Sequence, residues 1–164
     1  MPRITIVFVM HNIFEEKCIM NGDKEKNTQL LKYLGKNAKM GADNLETVLS
    51  DVKDERLKAT LESQVAEYRH IERQAKDKLA ILGEQPSDDK FTGICARAMI
   101  NVKMLMDKSN EHIAEMVVQG STMGIIDVTK QLKNCESCDD DAVNLAYRLK
   151  CIEQKNLDEM KHYL

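Results

Sequence analysis

An all-α bundle of four helices is the fold this sequence predicts, and three observations predict it. Apolar residues recur at spacings of three and four along four separate stretches. The 164 residues contain two prolines, Pro2 and Pro86, so little obstructs a long helix. Short connections between the stretches then place neighbouring helices side by side in one bundle.

Residues 1–19 stand apart from this pattern. Ile4-Thr-Ile-Val-Phe-Val-Met10 alternates as a strand would; it is too short to span a bilayer, and no small-residue cleavage site follows it. Helical periodicity begins after residue 26, and Met20, followed by Asn-Gly-Asp-Lys-Glu-Lys, reads as a natural polar start. Two readings are open: a membrane or partner anchor, or a non-native extension that packs loosely. The second is preferred, with one bundle domain over 20–164.

The first stripe is Leu31, Leu34, Ala38, Gly41, Leu45, Val48 and Val52, the heptad seam of a bundle helix. A tight turn follows, with Asp54 placed to cap the next helix. The second stripe runs Leu57, Leu61, Gln64, Tyr68, Ile71, Ala75, Leu79 and Leu82, and Gly83 stops it before the loop Glu84-Gln-Pro-Ser-Asp-Asp89. The third carries Cys95, Met99, Val102, Met106, Ser109, Ile113, Met116, Gly120, Gly124 and Val128. Unbroken from about 91 to 134 it would reach roughly 65 Å, against roughly 40 Å for the others. Either it breaks at Asp107-Lys-Ser-Asn, Ser109 capping a helix over about 110–134 after a short crossover segment, or it stays whole and its overhang is buried in a dimer. Gly120 and Gly124 serve internal packing in the first case and a dimer seam in the second. The last stripe is Ala142, Leu145, Leu149, Ile152, Asn156, Met160 and Tyr163.

Composition excludes several function classes. A net charge of -3 with mixed signs lacks the clustered positive charge of a nucleic-acid surface, and no segment reads as a membrane span. The 10 methionines and 4% aromatic content fill the core with flexible aliphatics, a poor basis for a specific ligand. Cysteines at 18, 95, 135, 138 and 151 are read as reduced thiols of a cytoplasmic protein.

Metal chemistry requires donors that face inward. Glu67-Tyr-Arg-His70 has the Glu-x-x-His spacing of a di-iron carboxylate site, which needs two such motifs and two further glutamates projecting into a bundle. From the centre of its stripe Glu67 lies about 80° away and His70 about 140° away, so the histidine faces solvent. Asp43 and Glu46 project about 110° to 170° off the first stripe, where the inward slot near Asn37 holds an amide. Glu111 and Glu115 face out, His112 sits roughly 100° to the side, and His162 points outward. Glu153, about 40° from the centre of the fourth stripe, is the one clear inward carboxylate, and three residues beyond it stands Asn156 rather than His. No metal site is therefore assigned; Glu153, His112, Glu67 and His70 are weak candidate ligands, for iron or zinc. A buried carboxylate needs partners. The reading preferred is a hydrogen-bonded layer of Glu153 with Gln64, Ser109, Asn156 and Asn110 that fixes helix register; the competing reading is a single-metal or small-ligand pocket with His112 at its rim.

Cys135-Glu-Ser-Cys138 precedes the last helix, where Asp139 can cap. One C-x-x-C lacks the second pair of a zinc ribbon and the strand-to-helix setting of a thioredoxin motif, leaving a local redox pair or an intersubunit zinc as its functional readings. There is no glycine-rich phosphate loop after a strand and no nucleophile with a recognisable base, so catalysis has no positive support.

His112-Ile-Ala-Glu-Met-Val-Val-Gln-Gly-Ser-Thr-Met-Gly-Ile-Ile-Asp127 resembles a family of small bacterial ferritin-like (rubrerythrin-like) bundles of uncharacterised function. So do Asn37-Ala-Lys-Met-Gly-Ala-Asp43 and the ending Glu153-Gln-Lys-Asn-Leu-Asp-Glu-Met-Lys-His-Tyr-Leu164. The resemblance covers residues 20–164 and implies a ferritin-like bundle with the crossover topology. It matches the ferritin ligand pattern only at Glu67/His70 and Glu153, so it implies no iron oxidation or peroxidase activity. The expectation is a structural or interaction protein, assembled as a homodimer; the alternative is a metal-dependent oxidoreductase or iron-handling protein.

Overall fold

The computed structural model describes the backbone of residues 3–86 and 109–164, and the side chains of residues 23–86 and 109–164. Four α-helices make up the described residues: α1 (Arg3–Leu49), α2 (Glu55–Ile81), α3 (Asn110–Lys133) and α4 (Asp140–Met160), the last followed by a 3₁₀ turn, Lys161–Tyr163. No strand occurs among them. The predicted stretch 90–106, with Cys95, Met99, Val102 and Met106, lies outside the described residues.

The turns form for the reasons the sequence gives. Asp54 caps α2, its Oδ1 accepting the Leu57 N–H at 2.8 Å. Gly83, at φ +75°, ends α2 in the left-handed region that favours glycine. Ser109 caps α3 by accepting the His112 N–H at 3.2 Å, so the main third helix starts at Asn110 and the break solution holds. Asp139 stands at the N-cap of α4, but its side chain makes no capping bond.

The strand-like reading of residues 1–19 is corrected: the backbone from Arg3 onward is helical and continuous with the rest of α1. The alternation has no neighbouring strand to pair with among the described residues, whereas a helix satisfies its own N–H and C=O groups.

Hydrogen bonds between α2 and α4 fix the topology. Lys78 reaches Asp141, Arg148 reaches Gln74, Tyr68 reaches Glu153 and Gln64 reaches Glu159, so one number falls as the other rises and the helices are antiparallel. A loop over 134–139 makes α3 and α4 antiparallel in turn, as the turn over 50–54 does for α1 and α2. Hence α2 and α3 run the same way, and Leu82 and Asn110 lie at opposite ends of the bundle. This is the crossover topology.

The four stripes meet as predicted along most of their length. Leu31, Leu34, Ala38, Leu45, Val48 and Val52 of the first are buried with Leu57, Leu61, Tyr68, Ile71, Ala75 and Leu79 of the second, Ile113 and Val128 of the third, and Ala142, Leu145, Leu149 and Met160 of the fourth. Gly120 departs from its stripe and is exposed, while Ser121 beside it is buried. No helix among the described residues is long and apolar enough to cross a membrane.

Candidate functional site

Halfway along the bundle α2, α3 and α4 contribute side chains to one buried polar layer. Tyr68 on α2 donates its hydroxyl to Glu153 Oε2 on α4 at 2.7 Å, and both residues are almost fully enclosed. Ser121 on α3 and Asn156 on α4 complete the cluster; they are 2% and 0% exposed. Gln64, one turn from Tyr68, is fully buried and donates from Nε2 to Glu159 Oε2 at 3.0 Å.

Two glycines make the space. A Cβ on Gly124 of α3 would stand 2.6 Å from Glu153 Oε1, and one on Gly41 of α1 would stand 2.9 Å from the Tyr68 ring. Ring and carboxylate are thus wedged between two backbones that approach more closely than any side chain would allow.

Burial pushes the Glu153 carboxyl up to about 7, against the opposing pull of the Tyr68 and Ser121 hydroxyls. Burial also raises the Tyr68 phenol well above its ordinary value, reinforced by the Glu153 charge, with Asn156 and Ser121 pulling the other way. Among the described residues, Oε1 of Gln64 is buried without a hydrogen-bond partner.

The sequence candidates fall in different places. Glu153 is in the interior, as its position on the stripe requires. Glu67 is half-buried, with Oε1 accepting from Lys155 Nζ at 2.8 Å. His70 is exposed on α2, and His112 is half-buried in the first turn of α3 with Nδ1 3.4 Å from Glu115 Oε2. Among the described residues no group of three or more His, Cys, Asp or Glu is placed to hold a metal ion. The donor set around Glu153 does not fit an iron pair either: one carboxylate, engaged by a phenol, faces hydroxyls and amides where a di-iron site uses four carboxylates and two imidazoles.

The predicted layer needs two corrections. Ser109 and Asn110 belong to the cap of α3, exposed and half-buried, because their polar groups are used at the helix start. Tyr68 and Ser121 take their place. The seam marked Tyr68 as core, but its hydroxyl could be given a partner only once α2 and α4 were known to be adjacent.

A second polar constellation lies between α1 and α2. Arg69 donates to Asp43 Oδ1 and Glu46 Oε2, each at 2.7 Å, and to Glu72 Oε2 at 2.9 Å; Lys76 also reaches Glu72. Burial would raise the Asp43 and Glu72 carboxyls, but hydrogen bonds from Lys39 and Arg69 in the first case, and Lys76 and Arg69 in the second, hold both below their usual range. Asp43 and Glu46 do point off the stripe, toward this arginine. Cys135 and Cys138 are joined by a disulfide, which corrects the expectation of reduced thiols there, and Cys151 is free and exposed.

The family described as Domain of unknown function (DUF2383) matches residues 26–144. No curated protein matches the chain. Two solved structures are similar. A DUF305 fragment from Deinococcus radiodurans aligns with a TM-score of 0.68 at 10% identity, over 84% of this chain and 93% of that one. The bacterioferritin-related protein from Bacteroides fragilis, described as a dodecameric thioferritin, aligns with a TM-score of 0.68 at 14% identity, over 91% of each chain. At these identities the likeness shows the fold, a ferritin-like helical bundle.

Proposed function

The chain belongs to the DUF2383 family, a domain of unknown function, and we propose that it serves as a non-enzymatic structural or interaction protein, its interior polar layer standing where a ferritin-like bundle would carry metal. The observation that carries this reading is the Tyr68–Glu153 hydrogen bond at 2.7 Å, closed in by Gly124. It commits this central carboxylate to holding α2, α3 and α4 in register, a role that buried polar groups fill in helical assemblies. Elemental analysis of protein purified without chelators tests it. Metal well below one ion per chain supports the reading; about two irons per chain, lost in Glu153→Gln, overturns it.

Self-association accompanies this role. The Bacteroides fragilis protein is described as dodecameric, and here α3 exposes Met123 and Ile126 on the side that carries Gly120. A homodimer through α3 is the assembly proposed. Light scattering of the eluting protein should give twice the chain mass, and Met123→Glu should halve it; a monomer at all concentrations rejects the dimer.

A further inference from the structure

We propose that Cys135 and Cys138 form a thiol–disulfide exchange site whose substrates are dithiols, and that its redox state sets how firmly the α3–α4 loop is held against α1. The two Cα atoms stand 5.1 Å apart, within the span a disulfide bridges, and Cys138 N–H also bonds the Cys135 carbonyl across the same four residues. Two bonds tie this small ring to α1: Lys26 Nζ donates to Ser137 Oγ at 3.3 Å, and the Asp139 N–H donates to Asn27 Oδ1 at 2.7 Å. Asn27 is buried, so its acceptor is held in place while the loop alone can move away.

Accessibility sets the order of events. Cys135 is 8% exposed, whereas Cys138 is half-buried. A thiolate of an external dithiol attacks Cys138 Sγ; the Cys135–Cys138 bond breaks, its electron pair leaves on Cys135 Sγ, and that sulfur takes a proton. The second thiolate of the same reagent then attacks its own sulfur in the mixed disulfide, releasing Cys138 to be protonated. Two electrons and two protons pass to the pair, and the dithiol leaves as its disulfide. Opening the ring restores freedom to residues 135–138, so the bonds from Ser137 and Asp139 to α1 weaken together.

The full chain, equilibrated in mixtures of reduced and oxidised dithiothreitol, quenched in acid and alkylated, tests this by peptide mass. Cys135 and Cys138 should pass together from blocked to alkylated while the helical circular dichroism is retained, with exposed Cys151 alkylated throughout. The Asp139 amide should exchange with deuterium about fivefold faster in the reduced protein, the equivalent of one net hydrogen bond. Asn27→Ala should speed that exchange in both states and erase the redox difference. Alkylation of both cysteines in fully oxidised buffer, a pair that stays blocked until denaturant unfolds the chain, or equal Asp139 exchange in the two forms would each overturn the proposal.

Discussion

Tyr68 and Glu153, 85 positions apart in the chain, meet at 2.7 Å in the centre of the bundle with the phenol donating to the carboxylate. Because the pair is enclosed, its protonation is coupled to folding. In the folded chain the Glu153 carboxyl keeps its proton up to about 7, against 4.5 for the ordinary group.

Below the unfolded value the carboxyl is protonated in both states and its contribution is intact; as pH rises toward and through about 7 that contribution is lost. The full difference is on the order of 3 kcal/mol. Glu153→Gln keeps an acceptor for Tyr68 and never ionises. It should therefore gain on the wild type between about pH 5 and about pH 8 by up to that amount. Urea unfolding at both ends checks this, and an equal difference at the two pH values rejects it.

Tyr68→Phe removes the donor and leaves the ring. The hydroxyl holds the Glu153 carboxyl down against burial, so its loss should raise that group further. The stability cost, about 1–3 kcal/mol, should be largest where Glu153 would otherwise ionise. Carboxyl-carbon NMR of labelled glutamate reads the titration; a midpoint that stays or falls contradicts the assignment.

Two glycines on α3 should answer oppositely to alanine. At Gly124 the new Cβ meets Glu153 Oε1 at 2.6 Å, and the carboxylate cannot swing away without leaving Tyr68. A loss of about 1–3 kcal/mol is expected. At Gly120 the Cβ meets nothing within 4 Å among the described residues, so the helix should gain about 0.5–1 kcal/mol. Thermal melts of the two variants decide it. Glu153→Gln will not relieve the first, because the amide is as large as the acid.

Much of this bundle was legible in the sequence, and the misses share one cause. Leu34, Ala38, Leu57, Leu61 and Leu149 announce their faces by spacing alone, and Asp54, Gly83 and Ser109 announce their turns by chemistry that acts within a few residues. Glu153 and Asn156 were found because a polar side chain on an apolar stripe is conspicuous. Arg69 with Glu72, and Ser121 in place of Gly120, were not found. Arg69 is placed by Asp43 and Glu46 of α1, and Ser121 by Tyr68 of α2 and Glu153 of α4, and the rotation of one helix against another is set by packing that no single stripe reveals. The topology needed the same information, since 3.6-residue periodicity carries no helix direction.

Arg69→Ala should shift the acid limb of the stability curve. Asp43 and Glu72 titrate below their ordinary values, so their contribution is present above those values and lost as pH falls through the folded ones. Without the guanidinium the acid-unfolding midpoint should rise. Near neutral pH the loss should be only about 1 kcal/mol, since Asp43, Glu46 and Arg69 are partly exposed and screened, and salt should shrink it. Acid titration followed by circular dichroism, at low and high salt, checks both parts; an unmoved midpoint counts against the cluster.

The spacing of contacts along the chain also separates early from late folding events. Gly41 meets Tyr68 across a short turn, so α1 and α2 can zip together at little loop-closure cost, while Glu153 must find Tyr68 across a far longer loop. The hairpin is accordingly the expected nucleus, and the central carboxylate docks after the rate-limiting barrier. Gly41→Ala should slow refolding, whereas Tyr68→Phe should mainly hasten unfolding, a split that stopped-flow chevrons would resolve.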